Sequence, residues 1–136
     1  MKKIIFYITG ILMLPVTLGF AQSKITDEYV NHSIENGRKY IFAIFKPGPN
    51  QSLNEDSVAN EQMAHLKYLF TLQEEGKVSI FGPFFNEENL DGICIFNSTS
   101  KEEVRKLVEN DPHIKSVYLV YELRVWFGIP GQSLTN

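Results

Sequence analysis

Ile114-Lys-Ser-Val-Tyr-Leu-Val-Tyr-Glu-Leu-Arg-Val-Trp-Phe127 sorts into two faces with a period of two, the pattern of a strand. Val117, Leu119, Tyr121, Leu123, Val125 and Phe127 make one face, and Tyr118, Val120, Glu122, Arg124 and Trp126 make the other. The first reads as a core facing helices. The second is still half apolar. Tyr40-Ile-Phe-Ala-Ile-Phe45 repeats the pattern, with Ile41, Ala43 and Phe45 set against Tyr40, Phe42 and Ile44. A sheet with helices on one side only would leave a sizeable apolar face in water, which is unusual for a lone domain. The simplest cover is a second copy of the same sheet, so the pattern predicts a homodimer packed sheet to sheet.

Working outward, Pro47-Gly-Pro49 stops the first strand and a helix follows from about Asp56 to Glu75. Ser52 and Asp56 both suit its start, and Gly76 suits its stop. At 3.6 residues per turn, Val58, Ala59, Met63, Leu66, Leu69, Phe70 and Leu72 share a face, with His65 at its border. Lys77–Phe81 and Gly92–Phe96 read as a hairpin around the turn Asn86-Glu-Glu-Asn89. Thr99 with Glu102, or Ser100 with Glu103, opens a second helix along Val104, Leu107 and Val108, and Pro112 ends it. The order β-α-β-β-α-β is the ferredoxin-like α+β plan.

The chain has 136 residues, which suits one domain. Lys2 and Lys3, the apolar run Ile4–Phe20 and the small residues Gly19 and Ala21 read as a signal peptide over residues 1–21, cut after Ala21. The same run is at the short edge of a membrane span, so an uncleaved anchor is its rival; Pro15 favours cleavage. Residues 22–38 are expected to be a flexible lead-in, 39–128 the domain and 129–136 a tail. Export to a periplasm or outside the cell, with no stable membrane insertion after cleavage, follows. The net charge of −3 becomes −5 without Lys2 and Lys3, with 11 basic against 16 acidic side chains. That balance lacks the basic footprint of a nucleic-acid binder. One cysteine, Cys94, excludes an intramolecular disulfide, and its place between Ile93 and Ile95 suits a buried thiol.

These pieces together resemble the YCII-related (YciI-like) domain family of the dimeric α+β barrel superfamily, over about Lys39 to Gly128. The resemblance is carried by Lys46-Pro-Gly-Pro-Asn50, Met63-Ala-His-Leu66, Glu74-Glu-Gly-Lys77 and Gly82-Pro-Phe84. It continues through Leu90-Asp-Gly-Ile93, Asp111-Pro112 and Trp126-Phe-Gly128. It implies a ferredoxin-like protomer paired into a barrel. It also implies a histidine–aspartate pair, His65 and Asp111, beside a pocket between helix and sheet. The family includes a lactone dehalogenase, and related barrels include muconolactone isomerases. Relatives tend to carry histidine and proline before the tryptophan, where this chain has Arg124 and Val125.

A histidine exchanges protons near neutral pH, and a carboxylate partner fixes its tautomer. His65 with Asp111 is therefore the candidate catalytic pair; the plainer readings are a packed border histidine and an ordinary helix exit before proline. Gly82 and Pro83 either line a pocket or only end a strand. Arg124 and Trp126 either hold a substrate carboxylate and wall its apolar part, or belong to the dimer interface, where such residues are enriched. His32, His65 and His113 lack metal-ligand spacing, so no metal is expected, and no cofactor is implied. Two functions stand: acid/base catalysis on a small organic acid or lactone, or a non-catalytic small-ligand-binding or structural dimeric module.

Overall fold

A computed structural model describes residues 25–51 and 55–135. The elements in chain order are α1 (Asp27–Glu35), β1 (Arg38–Pro47), α2 (Glu55–Glu74), β2 (Val78–Pro83), β3 (Gly92–Phe96), α3 (Lys101–Glu109), α4 (Pro112–Lys115) and β4 (Leu119–Gly128). The strands form one antiparallel sheet in the order β2-β3-β1-β4. This is the ferredoxin-like α+β arrangement expected from the sequence, with α1 and α4 added. The signal segment 1–21 and the cap at Ser52 lie outside the described residues.

The alternation of β1 places Ile41, Ala43 and Phe45 in the core. Val78, Cys94, Phe96 and Leu119 join them from the other strands, while Leu69, Leu72, Val104 and Val108 close the core from α2 and α3. Burial pushes the Cys94 thiol far up, so it stays protonated and inert. Between Val78 and Ile80 the β2–β3 register slips by one residue, so Val78 and Phe81 both reach the core side although three apart. Ser79 at the slip bonds the side chain of Asn97.

Several expectations are corrected. The polar lead-in contains α1, because Thr26 caps it by accepting from the Tyr29 amide at 3.2 Å and Asp27 and Glu28 fill its first turn. α1 buries no residue, and its apolar Val30 and Ile34 stay exposed. The second helical segment does not simply end at Pro112. α3 stops at Glu109, and Asp111-Pro112 starts α4, with aspartate as N-cap and proline in the first turn. β4 consequently begins at Leu119, not near Ile114. The α3 cap is Ser100, which accepts from the Glu103 amide at 3.2 Å.

Val117 follows α4 in the left-handed region, with φ 60°. That is where a helix usually places glycine, and a β-branched side chain there is strained. Its carbonyl accepts from the Asn50 amide at 3.3 Å, so the loop after β1 holds it in place. Val117 is half exposed, contrary to its expected core place, so replacing it removes little packing. Val117→Asn is expected to stabilise the protein by about 1 kcal/mol, read as a higher midpoint in urea at unchanged slope. A lower midpoint would show that the strain is not relieved there.

Candidate functional site

α2 turns its middle toward the sheet, and that decides the site. Met63 and Phe70, expected on the buried face, are 54% and 59% exposed, whereas His65 is 8% exposed, and Leu69 and Leu72 are buried. Tyr68, which is not among the residues of the apolar face, packs against the core and donates its hydroxyl to the Leu107 carbonyl at 2.9 Å. His65 therefore sits at the centre of the buried stripe rather than at its border. The stripe runs through Glu61, His65 and Tyr68, so polar side chains disguise it.

His65 Nδ1 lies 2.8 Å from both carboxylate oxygens of Asp111, 46 residues away. Asp111 is 1% exposed. Its Oδ1 also accepts the His113 amide at 2.9 Å, the cap of α4. With an ionised carboxylate there, Nδ1 is the protonated nitrogen and Nε2 is left for a ligand. The sequence thus names both members of the pair, and the fold brings them together.

His113 is the member that sequence reading missed. It is 2% exposed and its ring stacks on His65, centroids 4.5 Å apart and planes 6° from parallel. The Tyr118 ring lies 4.9 Å from that of His113, centroid to centroid, and Phe45 meets His65 edge-on at 6.4 Å. The available signal was Asp-Pro-His: a cap followed by proline sets the next residue in the first helical turn.

Burial, and then the charge of His65, hold His113 below the ordinary histidine range; Asp111, Glu61 and Asp91 pull less strongly the other way. A histidine lowered in the folded state binds its proton more readily when unfolded. Its share of stability is therefore full above about pH 6.5 and falls as pH drops through that value. The melting temperature is expected to fall between pH 7.5 and 5.5, and His113→Phe should flatten that fall. An unchanged slope in the variant would assign the acid sensitivity elsewhere.

A cavity of about 60 Å³ opens beside His65 between α2 and the sheet. Phe45, Leu66, Leu69, Phe81 and Ile93 give it apolar walls, and Gly82, Pro83 and Asp91 line it as well. Gly82 and Pro83 line this cavity at the end of β2. Asp91 is held there by its backbone: its amide donates to the Phe45 carbonyl at 2.9 Å, and its carbonyl accepts from Phe84 at 2.8 Å. Among the described residues, no group of three or more histidine, cysteine or acidic side chains is arranged to hold a metal ion.

Arg124 and Trp126 do not join this site. Leu119, Tyr121 and Leu123 occupy the helix side of β4, so the residues between them face away. Arg124 pairs with Glu122 at 2.6 Å, and Lys46 bonds the same carboxylate. Trp126 lies 5.8 Å from Tyr40 and 6.4 Å from Phe42, and lines a separate groove with Ile80, Ile95 and the tail. A strand's two-residue alternation separates their chemistry from that of His65.

A model of the YCII-related domain matches residues 41–127. One similar solved structure is 5-chloro-2-hydroxyhydroquinone dehydrochlorinase from Burkholderia phenoliruptrix AC1100, in complex with 2,5-dihydroxybenzoquinone. It is 26% identical over 63% of this chain and 92% of that one, with a TM-score of 0.49. Muconolactone isomerase is similar at 11% identity over 71% of this chain and 97% of that one, with a TM-score of 0.54, a likeness of fold. No curated protein matches the sequence significantly. The family match runs from Ile41 in β1 to Phe127 in β4, across the whole sheet and both helices packed on it, and the chain belongs to the YCII-related domain family.

Proposed function

We propose that this protein is an exported, homodimeric acid/base enzyme acting on a small organic acid or lactone. His65 takes and returns the proton, and Asp111 orients it. The observation that carries the reading is the 2.8 Å contact of Nδ1 with a buried carboxylate while the ring borders a cavity. Nε2 then removes a proton from a carbon beside a carbonyl, and Asp111 stabilises the imidazolium that forms. Return of the proton to another atom isomerises the substrate; loss of a leaving group from the neighbouring carbon eliminates it.

Export rests on residues 1–21. The dimer is supported by the sheet face turned away from the helices, which carries Tyr40, Phe42, Ile44, Val120 and Trp126 in alternation. Val120 and Trp126 are each 39% exposed in the single chain, and an apolar face of this kind calls for a cover. Trp126 and Arg124 then belong to the interface.

The test is deuterium uptake from heavy water into a panel of lactones, muconolactone included, and hydroxyquinones, followed by proton NMR. The protein is expected to label at least one, and His65→Gln to slow labelling about 10²–10⁴-fold while the sedimentation of the dimer is unchanged. A compound retained on the protein without exchange would favour the binding module. Exchange that persists in His65→Gln would remove the histidine from the chemistry.

A further inference from the structure

We infer that His113 is a positioning residue that holds both halves of the His65–Asp111 pair, its main chain fixing the carboxylate and its ring fixing the imidazole. The inference rests on the acid/base reading for its catalytic consequence but not for its geometry. The His113 amide donates to Asp111 Oδ1 at 2.9 Å, which sets the carboxylate plane. The His113 ring lies parallel to His65 at 4.5 Å, which sets the imidazole plane. Tyr118 also contacts His113, centroids 4.9 Å apart, and Phe45 meets His65 edge-on, so each ring of the stack has a further aromatic neighbour. With both planes set, Nδ1 sits equally, at 2.8 Å, from two oxygens, an arrangement that a ring free to tilt would not keep.

The stack also suits the charge that His65 acquires. A neutral aromatic face attracts a cation placed over it, whereas a second imidazolium at this distance repels it. The groups facing His113 are His65 and Glu61 from α2, Asp111 at the cap of α4, Asp91 before β3 and Tyr118 before β4. Burial keeps His113 the neutral partner. A charged His113 would stand against a charged His65 across the same stack.

The experiment is nitrogen-15 NMR of the imidazoles in the purified protein, comparing His113→Phe, which keeps a flat ring, with His113→Leu, which fills the space without one. Both variants keep the backbone amide on Asp111. The Nδ1 proton of His65 is expected to stay sharp and slow to exchange in the wild type and in His113→Phe. In His113→Leu it should exchange at least about 10-fold faster. With a labelled lactone or hydroxyquinone from the panel, His113→Leu should lower kcat about 10–100-fold at unchanged KM, and His113→Phe should restore it. Equal protection of the Nδ1 proton in folded His113→Leu overturns the inference, and so does its loss in folded His113→Phe. Should no compound be turned over by the wild type, the acid/base reading fails while the exchange comparison still decides the positioning role.

Discussion

Asp111→Ala is expected to lower the unfolding free energy by about 4 kcal/mol and to abolish any exchange catalysed through His65. The side chain does two separate jobs from a position that is almost sealed from solvent. It accepts from His65 Nδ1 at 2.8 Å and from the His113 amide at 2.9 Å. Alanine leaves both donors buried without an acceptor, and each orphan costs about 1–3 kcal/mol. Loss of the α4 cap falls within that range, since N-cap removal alone costs about 0.5–2 kcal/mol. Asp111→Asn separates the two jobs. Its carbonyl can still cap α4 and accept from Nδ1, but its amide replaces the second oxygen beside Nδ1 and the negative charge that steadies an imidazolium is gone. Asn should therefore recover more than half of the lost stability and little of the catalysis. Urea unfolding at constant slope measures the first, and the deuterium assay the second. A loss below about 1 kcal/mol in Asp111→Ala would mean that water or a shifted side chain replaces the carboxylate.

The sequence made the pair legible but not its surroundings. His65 and Asp111 could be named because a resemblance joined residues that lie far apart in the chain. Periodicity alone placed His65 at a border, since hydrophobic counting weights Met63 and Phe70 above Glu61 and Tyr68. The polar members of the buried stripe have partners that only the fold supplies, such as the Leu107 carbonyl for Tyr68 and Asp111 for His65. Asp-Pro reads as an exit from the sequence because it breaks α3; that the same two residues also start a new turn depends on what Asp111 can cap. The two-faced strands, by contrast, are readable over most of their length. Alternation is a property of the strand itself, and the helix side of β4 follows it from Leu119 to Leu123. It fails as a guide to burial at Val125 and Phe127, which keep the parity of the core face but are 55% and 51% exposed. Arg124 and Trp126 alternate with the helix-facing residues of β4 and so lie on the other face from His65. A period of two says which residues share a face, not which face holds the chemistry.

Gly48→Ala tests the other support of the site and is expected to destabilise the protein by about 3 kcal/mol, the upper part of the usual range for overpacking. A β-carbon at Gly48 would stand 2.2 Å from the Val117 carbonyl oxygen and 3.0 Å from the carbonyl carbon and oxygen of Tyr118. All three are main-chain atoms, so no rotamer change can relieve the contact. The Gly48 amide also donates to the Tyr118 carbonyl at 2.7 Å, so separating the two strands to make room breaks that bond. Val117 is already in the left-handed region and cannot yield cheaply. Displacement of this segment moves Tyr118, which rests on His113, which in turn stacks on His65. Gly48→Ala should thus weaken the site as well as the fold, although Gly48 does not line the cavity. Gly82→Ala is the comparison that isolates the cause. Gly82 does line the cavity, yet nothing lies within 4 Å of the β-carbon it would gain, so its stability should change by less than about 0.5 kcal/mol. Thermal and urea unfolding of the two variants side by side decide the matter. Equal stability would show that the β1–β4 junction can open without strain, and the chain of contacts from Gly48 to His65 would then carry no mechanical load.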